Sequence, residues 1–139
     1  MDSNLKSASE VFIFDIFGAY AHFRKFYTNS SSLSYLIPPR TVITGMIAGI
    51  FGLPNERSSK KSDIYYEKFN RDNCIISVAM KTPIQKMMQT ENYYNLIKQN
   101  ESFRYQVPVE ILKAKFAKEI RYRIYFISLN PQLIPNYSE

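Results

Sequence analysis

His22 is the only histidine in the chain, so any imidazole chemistry rests on it. It stands in the run Tyr20-Ala21-His22-Phe23-Arg24-Lys25-Phe26-Tyr27, where rings and cations interleave. Metal-free cleavage of RNA needs a general base for the 2′-hydroxyl and a cation for the phosphate. His22 with Arg24, Lys25 and Tyr27 supplies those residue types. The same residues also serve without catalysis, by stacking unpaired bases and gripping phosphates. Other cations gather later in the sequence. Lys113, Lys115 and Lys118 alternate with Ala114, Phe116 and Ala117, and Arg121, Arg123 and Tyr125 share one side of a strand pattern.

Other chemistries find less support. Ser30, Ser31, Ser32 and Ser34 lack the G-x-S-x-G elbow of a serine nucleophile. Asp15, Asp63 and Asp72 have no metal-cluster spacing. Gly45, Gly49 and Gly52 fall inside a helical pattern rather than at a strand–helix turn, so they cradle no nucleotide phosphate. Cys74 is the only cysteine, which excludes an internal disulfide and a cysteine-based zinc site and favours a reducing interior. Neither a metal nor a cofactor is expected.

The 139 residues suffice for one domain with a core. Eighteen Lys+Arg against 12 Asp+Glu give a formal charge of +6, which suits a polyanionic partner. Aromatic content is 15%, all Tyr and Phe, and these rings reinforce the charge signal. The opening MDSNLKSASE lacks the basic-then-apolar order of a signal peptide. The apolar run at 11–17 and the helix at 42–53 are too short to span a bilayer. A soluble, cytoplasmic protein with no membrane contact is expected.

These residues need positioning elements. Residues 1–10 are polar and expected to be loose. Val11–Phe17, VFIFDIF, is apolar on both faces and reads as a central strand covered on both sides. Asp15 within it either faces the strand's exposed edge or pairs with a cation. Residues 18–37 form a long connection, of the kind that is functional or mobile. Pro38 and Pro39 lead into a helix over Arg40–Phe51. Its large residues, Val42, Ile43, Met46, Ile47, Ile50 and Phe51, are expected on the sheet. Its small half, with Gly45 and Gly49, is expected to let another backbone approach. Gly52 caps the helix and Pro54 prevents its continuation.

Residues 54–72 read as a polar surface loop with a short helix near Ile64–Phe69. Cys74, Ile76, Val78 and Met80 share one face of a strand ended by Pro83. Residues 84–118 fit no single assignment: 85–100 is either helix or an irregular excursion, and 106–110 is extended around Pro108. Glu119–Ile127 is a strand with Tyr122, Ile124 and Phe126 inward and Arg121, Arg123 and Tyr125 outward. The tail over 128–139 has no pattern. The class is α+β. A ferredoxin-like domain would add one more helix and strand to this order.

The stretch GAYAHFRKFYTNSSSLSYLIPPRTVITGMIAGIFGLP, residues 18–54, closely resembles the N-terminal signature of the Cas-five family. These are CRISPR-associated proteins of the RAMP superfamily on a ferredoxin-like, RRM-type fold. QVPVEIL at 106–112 and YRIYF at 122–126 look like later family segments, so the resemblance covers roughly residues 10–127. The resemblance implies a subunit of the type I surveillance complex, Cascade, closest to I-B-like members. Such a subunit caps the 5′ handle of the crRNA and contacts the backbone-forming and large subunits. It also implies an RRM-like domain over 11–127 with a thumb-like insertion at about 84–118. The candidate RNA-binding set is Tyr20, His22, Phe23, Arg24, Lys25, Tyr27, Arg40, Lys113, Lys115, Arg121 and Arg123, with Gly45 and Gly49 at a partner contact.

One branch of the family cleaves precursor RNA with a Tyr/Lys/His set. No Lys-His pair lies in the later region here, so a non-catalytic subunit is expected. An endoribonuclease using His22 is the first alternative, and a protein-interaction subunit with little RNA contact is the second. Relatives continue past YRIYF with a further helix and strand, so an incomplete C-terminal part is expected.

Overall fold

In the computed structural model the described residues are 10–26, 31–54, 64–98, 101–130 and Leu133. Tyr27, most of the expected loose N-terminal arm and most of the tail lie outside them. In chain order the elements are β1 (Glu10–Gly18), β2 (Tyr20–Ala21), α1 (Arg40–Ile50), α2 (Tyr65–Lys68), β3 (Cys74–Met80), β4 (Ile84–Lys98), β5 (Glu101–Ala114) and β6 (Ile120–Ser128). This is a mixed α+β chain, mostly antiparallel strand. It divides into two compact units: residues 1–16, 38–79 and 122–139 form one, and residues 17–37 and 80–121 form the other.

A three-stranded sheet with order β1-β6-β3 lies mostly in the first unit. β6 is its centre, and its period-two alternation is the clearest in the sequence. Ile120, Tyr122, Ile124 and Phe126 are buried, while Arg121 is exposed and Arg123 and Tyr125 are half-buried, as expected. Phe126 meets the ring of Phe69 edge-on at 5.8 Å and lies 6.3 Å from Phe12. Burial pushes the Tyr122 phenol up to about 12.

β1 departs from expectation. It is an edge strand, not a central one, and Val11, Ile13 and Phe17 are 53%, 57% and 61% exposed. An apolar run signals contact on both faces but cannot say which strand takes the middle. Asp15 does pair with a cation: Arg123 donates to its carboxylate through Nε at 2.7 Å and Nη2 at 3.1 Å.

α1 follows the double proline, with Pro39 extended at the N-cap. It ends one residue short of the expected Phe51, which is the C-cap. Gly52 takes φ +64°, and Leu53 N–H donates to Ala48 O at 2.9 Å, the Schellman closure that favours glycine there. The buried stripe is Ile43, Thr44, Ile47 and Ala48, whereas Met46 and Ile50 from the expected core face are exposed. The helix is thus turned so that two small residues face inward. Thr44 satisfies its buried hydroxyl on Thr41 O at 3.0 Å. Within the chain, a Cβ added at Gly49 would meet nothing within 4 Å. At Gly45 it would meet only Tyr65 Oη, at an ordinary 3.7 Å. In β3, Cys74 is buried and Ile76 and Val78 half-buried, but Met80, expected on the same inward face, is 43% exposed.

The second unit holds a sheet of order β2-β5-β4. The undecided segment 84–118 is chiefly a long antiparallel ribbon, in register from Ile84↔Ala114 to Leu96↔Ser102, with an irregularity before Lys98↔Glu101. β4 is rich in Gln, Lys and Met, which favour helix, so local propensity does not settle its state. Pairing with β5, whose Val107, Val109 and Ile111 are β-branched, overrides it. Leu112 is fully buried, and Val109 and Ala114 nearly so. Among the described residues, no helix is long and apolar enough to cross a membrane.

Candidate nucleic-acid interface

The long connection after β1 is, over its described residues, folded back on itself and stitched to β5. Lys25 N–H donates to Leu33 O at 2.9 Å, and Tyr35 N–H to Phe23 O at 2.8 Å. Ser32 N–H donates to Pro108 O, and Glu110 N–H to Ser32 O, both at 2.8 Å. His22 is set by this stitching. Its Nδ1 lies 2.7 Å from the backbone carbonyl of Glu110, and its Nε2 lies 2.9 Å from Ser32 Oγ. A carbonyl only accepts, so Nδ1 carries the proton, and in the neutral ring Nε2 accepts from the serine hydroxyl.

That geometry orients a base, but its single lone pair is already engaged. A substrate hydroxyl must displace Ser32 to reach it. Nor does Ser32 have the surroundings of a nucleophile. The N–H groups of Ser32, Ser34, Phe23, Lys25 and Tyr35 all point at acceptors within the unit, leaving none of them aimed at an oxyanion.

Ser34 is the fully buried keystone of the loop. Its Oγ accepts from Phe23 N–H and donates to Tyr35 O, both at 2.9 Å, while its N–H donates to Glu110 Oε2 at 2.9 Å. Lys86 Nζ donates to the same carboxylate oxygen at 3.0 Å and to Ser34 O at 3.2 Å. Burial pushes the Glu110 carboxyl up, but the Ser34 N–H, Lys86 and the charge of Lys25 together outweigh it and hold it below the usual range. Among the described residues, no cluster of His, Cys, Asp and Glu could hold a metal ion.

On the adjoining sheet Tyr20 is in register with Lys113, and Lys113 with Gln85. Paired residues share a face, so a phenol that is 66% exposed stands beside an ammonium. Arg24 and His22 are exposed, Phe23 and Lys25 are half-buried, and Lys25 Nζ lies 5.6 Å from the centre of the Tyr35 ring. The second unit therefore gathers Tyr20, His22, Phe23, Arg24, Lys25, Lys113, Lys115 and Arg121.

Arg40 and Arg123 belong to the first unit and have other engagements. Arg123 holds Asp15. Arg40 Nη2 donates to Phe69 O at 3.0 Å and to Asn70 O and Cys74 O at 3.1 Å, and contacts Cys74 Sγ at 3.2 Å, so it clamps the 69–74 turn. Burial raises the Cys74 thiol, and Arg40 offsets part of that.

Ser32, Ser34, Lys86 and Glu110 are structurally central yet were not candidates in the sequence. Phe26, 88% exposed, and Phe116, 82% exposed, stood in the ring-and-cation runs but outside the candidate set. A readable signal existed for both, since each directly follows a lysine. No family model matches this chain, and no curated protein matches it.

Proposed function

We propose that this chain is a non-catalytic, cytoplasmic RNA-binding subunit of a type I CRISPR surveillance complex, holding the 5′ handle of the crRNA and meeting the backbone-forming and large subunits. The observation that carries the reading is the concentration of cations and exposed rings in one unit, around Tyr20–Lys113 and the Arg24–Lys25 loop. Rings stack bases in any sequence, and cations follow the phosphates. The resemblance of residues 18–54 to the Cas-five signature supplies the biological setting. The fold is consistent with it. β6 lies between β1 and β3, the two strands that flank α1 in the chain, an order compatible with a split strand–helix–strand unit of the ferredoxin-like kind. On this reading the β4–β5 ribbon is the thumb-like insertion that the resemblance implies.

Binding to single-stranded repeat-derived RNA tests the reading. If about four phosphates are neutralised, log affinity falls against log salt with a slope near −3. Arg24→Ala weakens binding by about 1–3 kcal/mol, whereas Lys68→Ala, on α2 of the other unit, leaves it unchanged. Salt-independent affinity, or equal losses from both substitutions, rejects it.

A second reading, an endoribonuclease, draws on the fixed tautomer of His22. It requires specific cleavage of unprocessed repeat RNA that disappears in His22→Ala. The engaged Nε2 argues for intact RNA in that assay.

A further inference from the structure

The turn joining β5 to β6 carries an arrangement that the His22 loop does not account for. Phe116 is 82% exposed and Phe17 is 61% exposed. Leaving a phenylalanine ring in water forgoes most of the stabilisation that burial would provide. Both rings are accompanied by a cation. Lys115 Nζ lies 5.1 Å from the centre of the Phe116 ring, and the Arg121 guanidinium 5.3 Å from that of Phe17, each within cation–π range. Beside them opens a cavity of about 400 Å³ lined by Thr82, Ala117, Lys118, Glu119 and Arg121. Its lining has two cations and one carboxylate, and Glu119 lies 3.8 Å from Arg121.

The framework is fixed at both ends. Lys115 N–H donates to Pro83 O at 2.8 Å. Arg121 N–H donates to Thr82 Oγ at 2.9 Å, and Lys81 N–H to Arg121 O at 2.8 Å. Both ends of the turn are thus tied to the same 81–83 segment, so the cations and rings are presented by a braced turn rather than a loose one.

We propose that this turn is a nucleotide subsite: it takes one unpaired RNA nucleotide, with the base on the exposed ring of Phe116 and the phosphate on Lys118 and Arg121. A cavity of this size accommodates a nucleotide. Alternating flat apolar faces and cations are what single-stranded nucleic acid requires. The carboxylates of an acidic peptide would use the cations but gain little from the ring faces, whereas every nucleotide brings a flat base with its phosphate. The proposal rests on the RNA-binding reading above and extends it to residues outside the loop, namely Phe17, Thr82, Phe116 and Lys118.

Fluorescence anisotropy of the whole chain with a short fluorescein-labelled single-stranded RNA tests it, with circular dichroism to verify folding. Phe116→Ala and Lys118→Ala alter exposed side chains, so both variants should fold. Phe116→Ala is expected to weaken binding on the order of 5–100-fold. Lys118→Ala is expected to reduce the magnitude of the log–log salt slope by about 0.7. Affinity within twofold of wild type in both variants, with Arg24→Ala still weakening binding, overturns the subsite and leaves the RNA reading standing. Loss in Lys118→Ala alone also overturns it, since a diffuse anion patch then suffices. A wild-type chain with no affinity for RNA overturns both.

Discussion

Replacing Glu110 with alanine removes the acceptor that holds the buried Ser34 N–H and the partner of Lys86. A hydrogen bond to a charged group contributes about 1.5–3 kcal/mol. The Lys86 ion pair adds at most about 1 kcal/mol, because the lysine side chain is 38% exposed and solvent screens it. The loss should be about 2–3 kcal/mol, confined to the second unit. Glu110→Gln keeps an acceptor oxygen and loses only the charge, so it should cost about 1 kcal/mol.

The local readout is amide hydrogen exchange at Ser34, Lys25 and Tyr35. Two to three kcal/mol corresponds to about 30–150-fold faster exchange in the alanine variant. Acid supplies an independent check. The Glu110 carboxyl is held below its unfolded value of about 4.3, so its charge stabilises the fold above that pH. This contribution is lost as pH falls through the lowered folded value. There wild-type Glu110 is protonated and resembles glutamine, so the gap between wild type and Glu110→Gln closes. A gap that persists in acid, or equal effects of Ala and Gln at neutral pH, would refute the reasoning.

Ile124→Ala opens a cavity in the centre of β6 and should cost about 2–5 kcal/mol, while Val11→Ala on the exposed edge strand should stay within about 0.5 kcal/mol. Equal shifts in thermal midpoint would contradict the strand order. Gly49→Ala should stabilise by about 0.5–1 kcal/mol, because the new methyl meets nothing and glycine is a poor helix former. Gly52→Ala should cost about 1–2 kcal/mol, because φ there is +64°. Melts moving in the opposite directions would refute the capping account.

The elements legible in the sequence are those whose pattern is set locally. β6 announces itself by strict alternation, and α1 by Pro39 before it and Gly52 after it. The rotation of α1 was not legible, because size alone predicts its large face inward while packing selects Thr44 and Ala48. The β4–β5 ribbon was hidden by helix-favouring residues whose conformation is decided by a partner strand. For the interface, the residue types of the loop were plain from the start. Their supports were not. His22 rests on a main-chain carbonyl 88 positions away, and a carbonyl has no sequence signature. The engagement of Arg40 and Arg123 was equally invisible, because an arginine reads the same whether it faces a phosphate, a carboxylate or a turn.

The order of strands in the first sheet also dictates when it can form. β1 lies beside β6, and the Asp15–Arg123 pair joins residues 108 positions apart. The β4–β5 ribbon is local and closes on the microsecond scale once both strands exist. VFIFDIF has no such nearby partner. At about 5–20 residues per second on the ribosome, it waits roughly 5–20 s for its neighbour to be synthesised. An apolar segment left unpaired for that time is a natural chaperone client, and slower translation lengthens its wait.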